Sequence, residues 1–137
     1  MPGGLMGLFD AIKKSLSTSS ELANYWHVPE DPSRLSEIAD QSYKRPQLIY
    51  KHSHRCGTCF FAKNQVEEAA DQIREEADLH FVDVIGSRAV SNRITDKWGV
   101  RHESPQLLLL KDGEVVWHAS HGAIKSRVIL KVLDDES

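Results

Sequence analysis

Apolar and polar positions follow two rhythms in this chain, and the rhythm switches repeatedly after Tyr25. Short β-favouring runs occur at Tyr25-Trp26-His27-Val28, at Leu48-Ile49-Tyr50, from Leu79 to Ile85, from Gln106 to Lys111 and from Glu114 to His118. Helical spacing fills the gaps between them. Asp31-Pro32 offers a capping side chain and then a proline suited to the first helical position, ahead of a stripe formed by Leu35, Ile38 and Ala39. In the longest helix, Cys59, Ala62, Val66, Ala69, Ile73 and Ala77 recur every three or four residues, while Lys63, Gln65, Glu67, Glu68, Asp71 and Arg74 take the solvated side. Ser87 to Trp98 reads as a helix with Val90, Ile94 and Trp98 along one face and Gly99 closing it, and Ile124 to Leu133 as a last helix with Val128 and Leu133 turned inward.

Asp112-Gly113 joins the last two strands, a strong hairpin signal because both turn positions need positive φ. The element order is therefore β-α-β-α-β-α-β-β-α. Its alternating part implies right-handed parallel crossovers and its end an antiparallel hairpin, which together predict an α/β fold with a mixed sheet between two helical layers.

Residues 1–22 stand apart from this alternation. Gly3, Gly4 and Gly7 are followed by a polar run, Ser15 and Ser17-Thr18-Ser19-Ser20, with Leu8-Phe9, Ile12 and Leu16 at helical spacing between them. The segment reads as a flexible or amphipathic N-terminal extension, and 23–137 as a single domain, in keeping with a chain of 137 residues. A net charge of −3 argues against general nucleic-acid binding, since Lys and Arg are scattered among acids. The apolar cluster Leu5 to Phe9 is interrupted by Asp10 well short of a signal-peptide core or a membrane span, so a cytosolic protein without a membrane span is expected.

The chain has two cysteines, Cys56 and Cys59, too few and too close for the disulfide framework of a secreted domain. Cys56-Gly57-Thr58-Cys59 follows a strand and opens a helix, where unpaired backbone N–H groups and the helix dipole stabilise a thiolate. Cys56 is the expected nucleophile, with Arg55 adding a positive charge, and thiols in comparable settings ionise at roughly 3.5–7.5 instead of about 8.5. Cys59, one turn further in, is placed to resolve a mixed disulfide formed on Cys56. Downstream, Ser104-Pro105 immediately precedes a strand; a cis proline facing the cysteines is expected there, with the Ser104 backbone free to pair with an extended substrate. Arg55, Gly57, Thr58, Ser104 and Pro105 are thus the expected substrate-binding residues. His52, His54, Cys56 and Cys59 offer four ligand types in one loop, but no second ligand pair completes a standard zinc pattern, so no metal site is expected. His102, His118 and His121 read as ordinary polar residues, and Trp98 and Trp117 as core or half-buried packing.

These features resemble the thioredoxin superfamily, and from Leu48 to Leu133 they resemble one small branch, the YtxJ-like bacilliredoxin family. The likeness rests on Lys51-His52-Ser53, on Val100-Arg101-His102-Glu103-Ser104-Pro105-Gln106, and on Lys111-Asp112-Gly113 through Val116-Trp117-His118 to Ser120-His121. It implies a thioredoxin-like fold and thiol-disulfide exchange in bacteria whose main small thiol is bacillithiol. The protein would take bacillithiol from mixed disulfides on proteins onto Cys56, with bacillithiol as co-substrate and no bound cofactor. Many relatives look monothiol, with another residue where Cys59 stands, so an internal disulfide and a second bacillithiol remain alternative resolutions. Thioredoxins proper carry Trp before the first cysteine, Gly-Pro between the two and a buried acid in the strand beneath; here those places hold Arg55, Gly57-Thr58 and Tyr50. A general disulfide reductase and a non-enzymatic metal- or partner-binding module stay open as alternatives, and oligomeric state is not legible.

Overall fold

The computed structural model describes residues 22–136. The predicted extension lies outside this range apart from Leu22, which is half-buried against the core. Helices α1 (Arg34–Gln41), α2 (Gly57–Glu68), α3 (Ala70–Arg74), α4 (Arg88–Trp98) and α5 (Ser126–Glu136) surround strands β1 (Gln47–His52), β2 (Asp78–Asp83), β3 (Gln106–Lys111) and β4 (Glu114–Ser120). The strands form one mixed sheet in the order β2-β1-β3-β4.

Strand periodicity builds the three layers, because successive side chains alternate between faces. On one face Leu48, Tyr50, Leu79, Phe81, Leu107 and Leu109 pack with α2, α3 and α5 through Ala62, Val66, Ile73, Ile129 and Leu133. On the other, Ile49, Val82, Leu108 and Leu110 pack with α1 and α4 through Leu35, Ile38, Val90 and Ile94. With helices on both sides, β1 is buried along its whole length, including Lys51 and His52.

Four expectations are corrected. The run Tyr25–Val28 is not a strand: His27 alone forms a parallel bridge, to His80. Pro29 and Pro32 follow closely, and proline offers no N–H to continue a ladder. The long second helix divides at Ala69, whose backbone leaves the helical region (φ −98°, ψ 4°), and the break buries Ala69 and Ala70 side by side. Strand β1 pairs in parallel with β2, but β3 runs antiparallel to β1. Residues 99–105 carry the chain to the C-terminal end of β1, so β3 starts beside the cysteine loop and runs back. In α5 it is Ile129, with Leu133, that enters the core; Val128 stays half-buried.

The turn chemistry is as expected. Gly99 ends α4 in the left-handed region (φ 68°), and Asp112 and Gly113 both take positive φ between β3 and β4. Helix α1 starts two residues later than its capping signal: the Asp31 carboxylate accepts the Ser33 N–H at 2.9 Å, and the regular helix begins at Arg34.

Candidate functional site

Strand β1 ends at His52, and a tight turn delivers Cys56 to the N-cap of α2 with extended backbone (φ −113°, ψ 116°). The Cys56 N–H donates to the Ser53 carbonyl at 3.2 Å, closing that turn. The extended cap leaves the Cys56 side chain partly exposed, with Sγ 2.9 Å from the Thr58 hydroxyl. That hydroxyl is the largest of the influences that hold the Cys56 thiol below its ordinary pKa, followed by the Cys59 backbone N–H and the Cys59 thiol. Arg55, expected to supply the stabilising charge, is exposed and does not figure among these influences. Hydrogen bonding takes its place because Thr58 is the second residue of the helix and can reach back to the cap.

Cys59, one turn in, is fully buried. Its Sγ accepts the Ser53 N–H at 3.4 Å and lies 3.6 Å from Ser104 Oγ. Burial outweighs both contacts and pushes the Cys59 thiol up. The two sulfurs are therefore chemically unequal: the outer one favours thiolate and the inner one favours thiol. Both are free in this structure. Beneath them the Tyr50 hydroxyl donates to the Cys59 carbonyl at 2.7 Å and lies 3.0 Å from His52 Nδ1. Tyr50 thus pins the first turn of α2 from the strand below.

The Ser104-Pro105 peptide is cis. Pro105 is buried and its carbonyl accepts the His121 N–H at 3.1 Å, fastening the loop before β3 to the end of β4. Lys51, fully buried, donates to Gln106 Oε1 at 3.1 Å, and Gln106 Nε2 donates to the Arg101 carbonyl at 2.9 Å, which ties the same loop to β1. Burial lowers the Lys51 pKa to about 8.

The structure therefore brings Cys56, Thr58, Cys59 and Ser104 together, and the buried Pro105 follows Ser104 in the chain. Gly57 is exposed, and a Cβ added to it would meet nothing within 4 Å. His52 and His54 face each other edge-on at 4.9 Å, with Tyr50 beside the one and Asp83 at 3.8 Å from the other. Among the described residues no group of three or more His, Cys, Asp or Glu side chains is placed to hold a metal ion. Lys51, Ser53 and Gln106 entered the sequence analysis only as parts of the family likeness; their contacts, the Ser53 N–H on Cys59 Sγ and the Lys51–Gln106 pair, were not foreseen.

With this geometry in view, the comparisons with known proteins are specific. The family model described as "Monothiol bacilliredoxin BrxC" matches residues 30–129. The chain belongs to this family. BrxC membership supports thiol redox chemistry, and it sharpens one feature, since the family is described as monothiol whereas this member carries thiols at both 56 and 59. Among solved structures, a thioredoxin-fold protein classed provisionally as an oxidoreductase superposes with a TM-score of 0.70 at 24% identity, over 78% of this chain and 92% of its own. Thioredoxin from Fasciola hepatica gives 0.65 at 18% identity over 81% and 99% of the two chains. Malassezia sympodialis thioredoxin (Mala s 13) gives 0.64 at 14% over 80% and 89%. These likenesses establish the thioredoxin fold. No helix among the described residues is long and apolar enough to cross a membrane.

Proposed function

We propose that this BrxC-family protein removes bacillithiol from mixed disulfides on other proteins. The observation that carries the reading is the inequality of the two thiols: Cys56, partly exposed and favoured as thiolate, and Cys59, buried and held as thiol one turn below. Exchange proceeds by attack of a thiolate on a disulfide sulfur. The Cys56 thiolate attacks the bacillithiol sulfur of a client mixed disulfide; a new Cys56–bacillithiol disulfide forms, and the client cysteine leaves as thiolate and takes a proton from water. Cys59 then loses its proton and attacks Cys56 Sγ, which releases bacillithiol thiolate and leaves a Cys56–Cys59 disulfide. An external thiol or dithiol reductant returns both cysteines to the starting state.

Ser104 Oγ stands 3.6 Å from Cys59 Sγ, where the hydroxyl can stabilise the thiolate that forms there, and the proposal assigns the Ser104 backbone to pairing with an extended client segment by strand addition. The experiment traps the first step. Cys59→Ser protein is mixed with a bacillithiolated protein and followed by intact mass, with Cys56→Ser as control. Bacillithiol mass appearing on Cys59→Ser and not on Cys56→Ser is the expected result; no transfer to either, with the client still modified, overturns the reading. A general reductase is the second reading, disfavoured by Tyr50, whose hydroxyl is committed to the Cys59 carbonyl where a proton acceptor for the inner thiol would help. Slow insulin reduction with thioredoxin reductase is expected, and rapid reduction would favour the second reading.

A further inference from the structure

Ser104 meets the inner thiol from a loop that is held at two points. On one side the Pro105 carbonyl accepts the His121 N–H at 3.1 Å, and the His121 ring lies 3.6 Å from the Glu103 carboxylate. On the other, the side-chain amide of Gln106 spans the loop and donates to the Arg101 carbonyl at 2.9 Å. Between these fastenings Ser104 Oγ lies 3.6 Å from Cys59 Sγ.

Lys51 decides which way the Gln106 amide points. It stands opposite Gln106 across the β1–β3 pair, both side chains are buried, and Lys51 Nζ donates to Gln106 Oε1 at 3.1 Å. An ammonium can only donate, so the amide turns its oxygen to Lys51 and its NH2 to Arg101. A side chain without a donor at position 51 would strand that buried oxygen and leave the two amide orientations undistinguished. Turned over, the amide would set its oxygen against the Arg101 carbonyl, and the loop would lose this fastening. Stability alone is a poor reason for a lysine here. Among the described residues no carboxylate lies within ion-pair distance of Nζ, and a buried charge without one is costly where an apolar side chain of similar length is not.

We propose that Lys51 is a positioning residue for the resolving step: by orienting the Gln106 amide it holds Ser104 against Cys59, and the Ser104 hydroxyl stabilises the Cys59 thiolate that attacks Cys56 Sγ. The inference rests on the exchange chemistry proposed above. In that step Cys59 gives its proton to water, the Cys59–Cys56 bond forms, the Cys56–bacillithiol bond breaks and bacillithiol leaves as thiolate, while Lys51 and Gln106 exchange neither proton nor electron. Lys51 therefore acts on the second step and not on the first.

The test separates the two steps in time. Reduced protein is mixed with a stoichiometric amount of the symmetrical bacillithiol disulfide and quenched with acid at intervals, and intact mass resolves the Cys56–bacillithiol adduct from the internal disulfide. In Lys51→Met the adduct should form at the parent rate and decay about tenfold more slowly, the scale of one lost hydrogen bond to a charged group. Iodoacetamide alkylation of Cys56 at the parent rate checks that the fold and the outer thiol are intact. Ser104→Ala should show the same slow decay, and the double variant should be no slower than Ser104→Ala, because both substitutions act through one contact. Should Lys51→Met fail to fold, Gln106→Glu takes its place: the carboxylate keeps an acceptor for Lys51 but has no N–H for Arg101, and the adduct should persist there too. Decay at the parent rate, equal slowing of formation and decay, or multiplied effects in the double variant overturn the inference. If the parent protein forms no adduct, the exchange reading itself falls and this inference falls with it.

Discussion

At the scale of single residues, a hydroxyl and a buried phenol do most to shape the site. Thr58 provides the leading hydrogen bond to Cys56 Sγ, so Thr58→Val should move the inflection of Cys56 alkylation to higher pH and slow alkylation at pH 7 several-fold, as read from a pH series with iodoacetamide. The sign follows from the reacting species: only thiolate attacks, and the substitution removes a donor that favours thiolate. Tyr50→Phe leaves the Cys59 carbonyl and His52 Nδ1 without their shared partner. Stranding buried polar groups costs about 1–3 kcal/mol, which denaturant unfolding should register as a lower midpoint at unchanged slope. The cysteines and the Ser104-Pro105 step could be read from residue type and spacing alone. The roles of Thr58 and Ser53 could not, because they depend on where a hydroxyl and an N–H point. Arg55 shows the opposite failure: adjacency in sequence suggested a charge contact that the turn does not make.

At the scale of elements, the apolar rhythm carried most of the information. Leu48-Ile49-Tyr50, Leu79 to Val82 and Leu107 to Leu110 are strands, as their residue types required, and the hairpin turns where Asp112-Gly113 stands. The reading failed where tertiary context decides. His27 has a strand-like neighbourhood, yet only one bridge to β2. The direction of β3 depends on which end of the sheet residues 99–105 reach, which no local pattern records. The burial of Lys51 and Gln106, both part of the motifs that carry the family likeness, was not legible because polar residues in a strand normally signal a solvated face. Glycines offer a graded test. Gly113→Ala combines positive φ with a Cβ 2.6 Å from Tyr43 Oη and should lose about 1 kcal/mol or more. Gly99→Ala has open space but the same backbone strain, at about 1 kcal/mol. Gly57→Ala has open space and no positive φ, and should unfold at or slightly above the parent midpoint. Parallel urea titrations of the three compare strain with space directly.

At the scale of the whole molecule, burying polar groups beneath the site couples stability to pH. Burial, with nearby positive groups, lowers the pKa of His52 and of His80 from 6.5 to about 4. Between those values the unfolded chain binds more protons than the folded one, so stability should be fully present above pH 6.5 and be lost as pH falls towards 4. For His80 the slope is at most about 1.4 kcal/mol per pH unit. Lys51 works in a second window. Its pKa falls from 10.5 to about 8 on folding, so its contribution to stability should rise between pH 8 and 10.5 as the folded state sheds the buried charge. Lys51→Met should abolish that component, and the difference between the two proteins in urea midpoints across this range isolates it from the cysteines.

In the proposed exchange Cys56 Sγ accepts bacillithiol from a client, and the most direct measurement watches the client. Reduced wild-type protein is mixed with a protein bearing one bacillithiol mixed disulfide, and both partners are followed by intact mass after acid quenching. The account predicts that the client loses the bacillithiol mass while this protein loses the two hydrogens of a Cys56–Cys59 disulfide, and that Cys56→Ser leaves the client modified. A client cleared as fast by Cys56→Ser as by the wild type would contradict it.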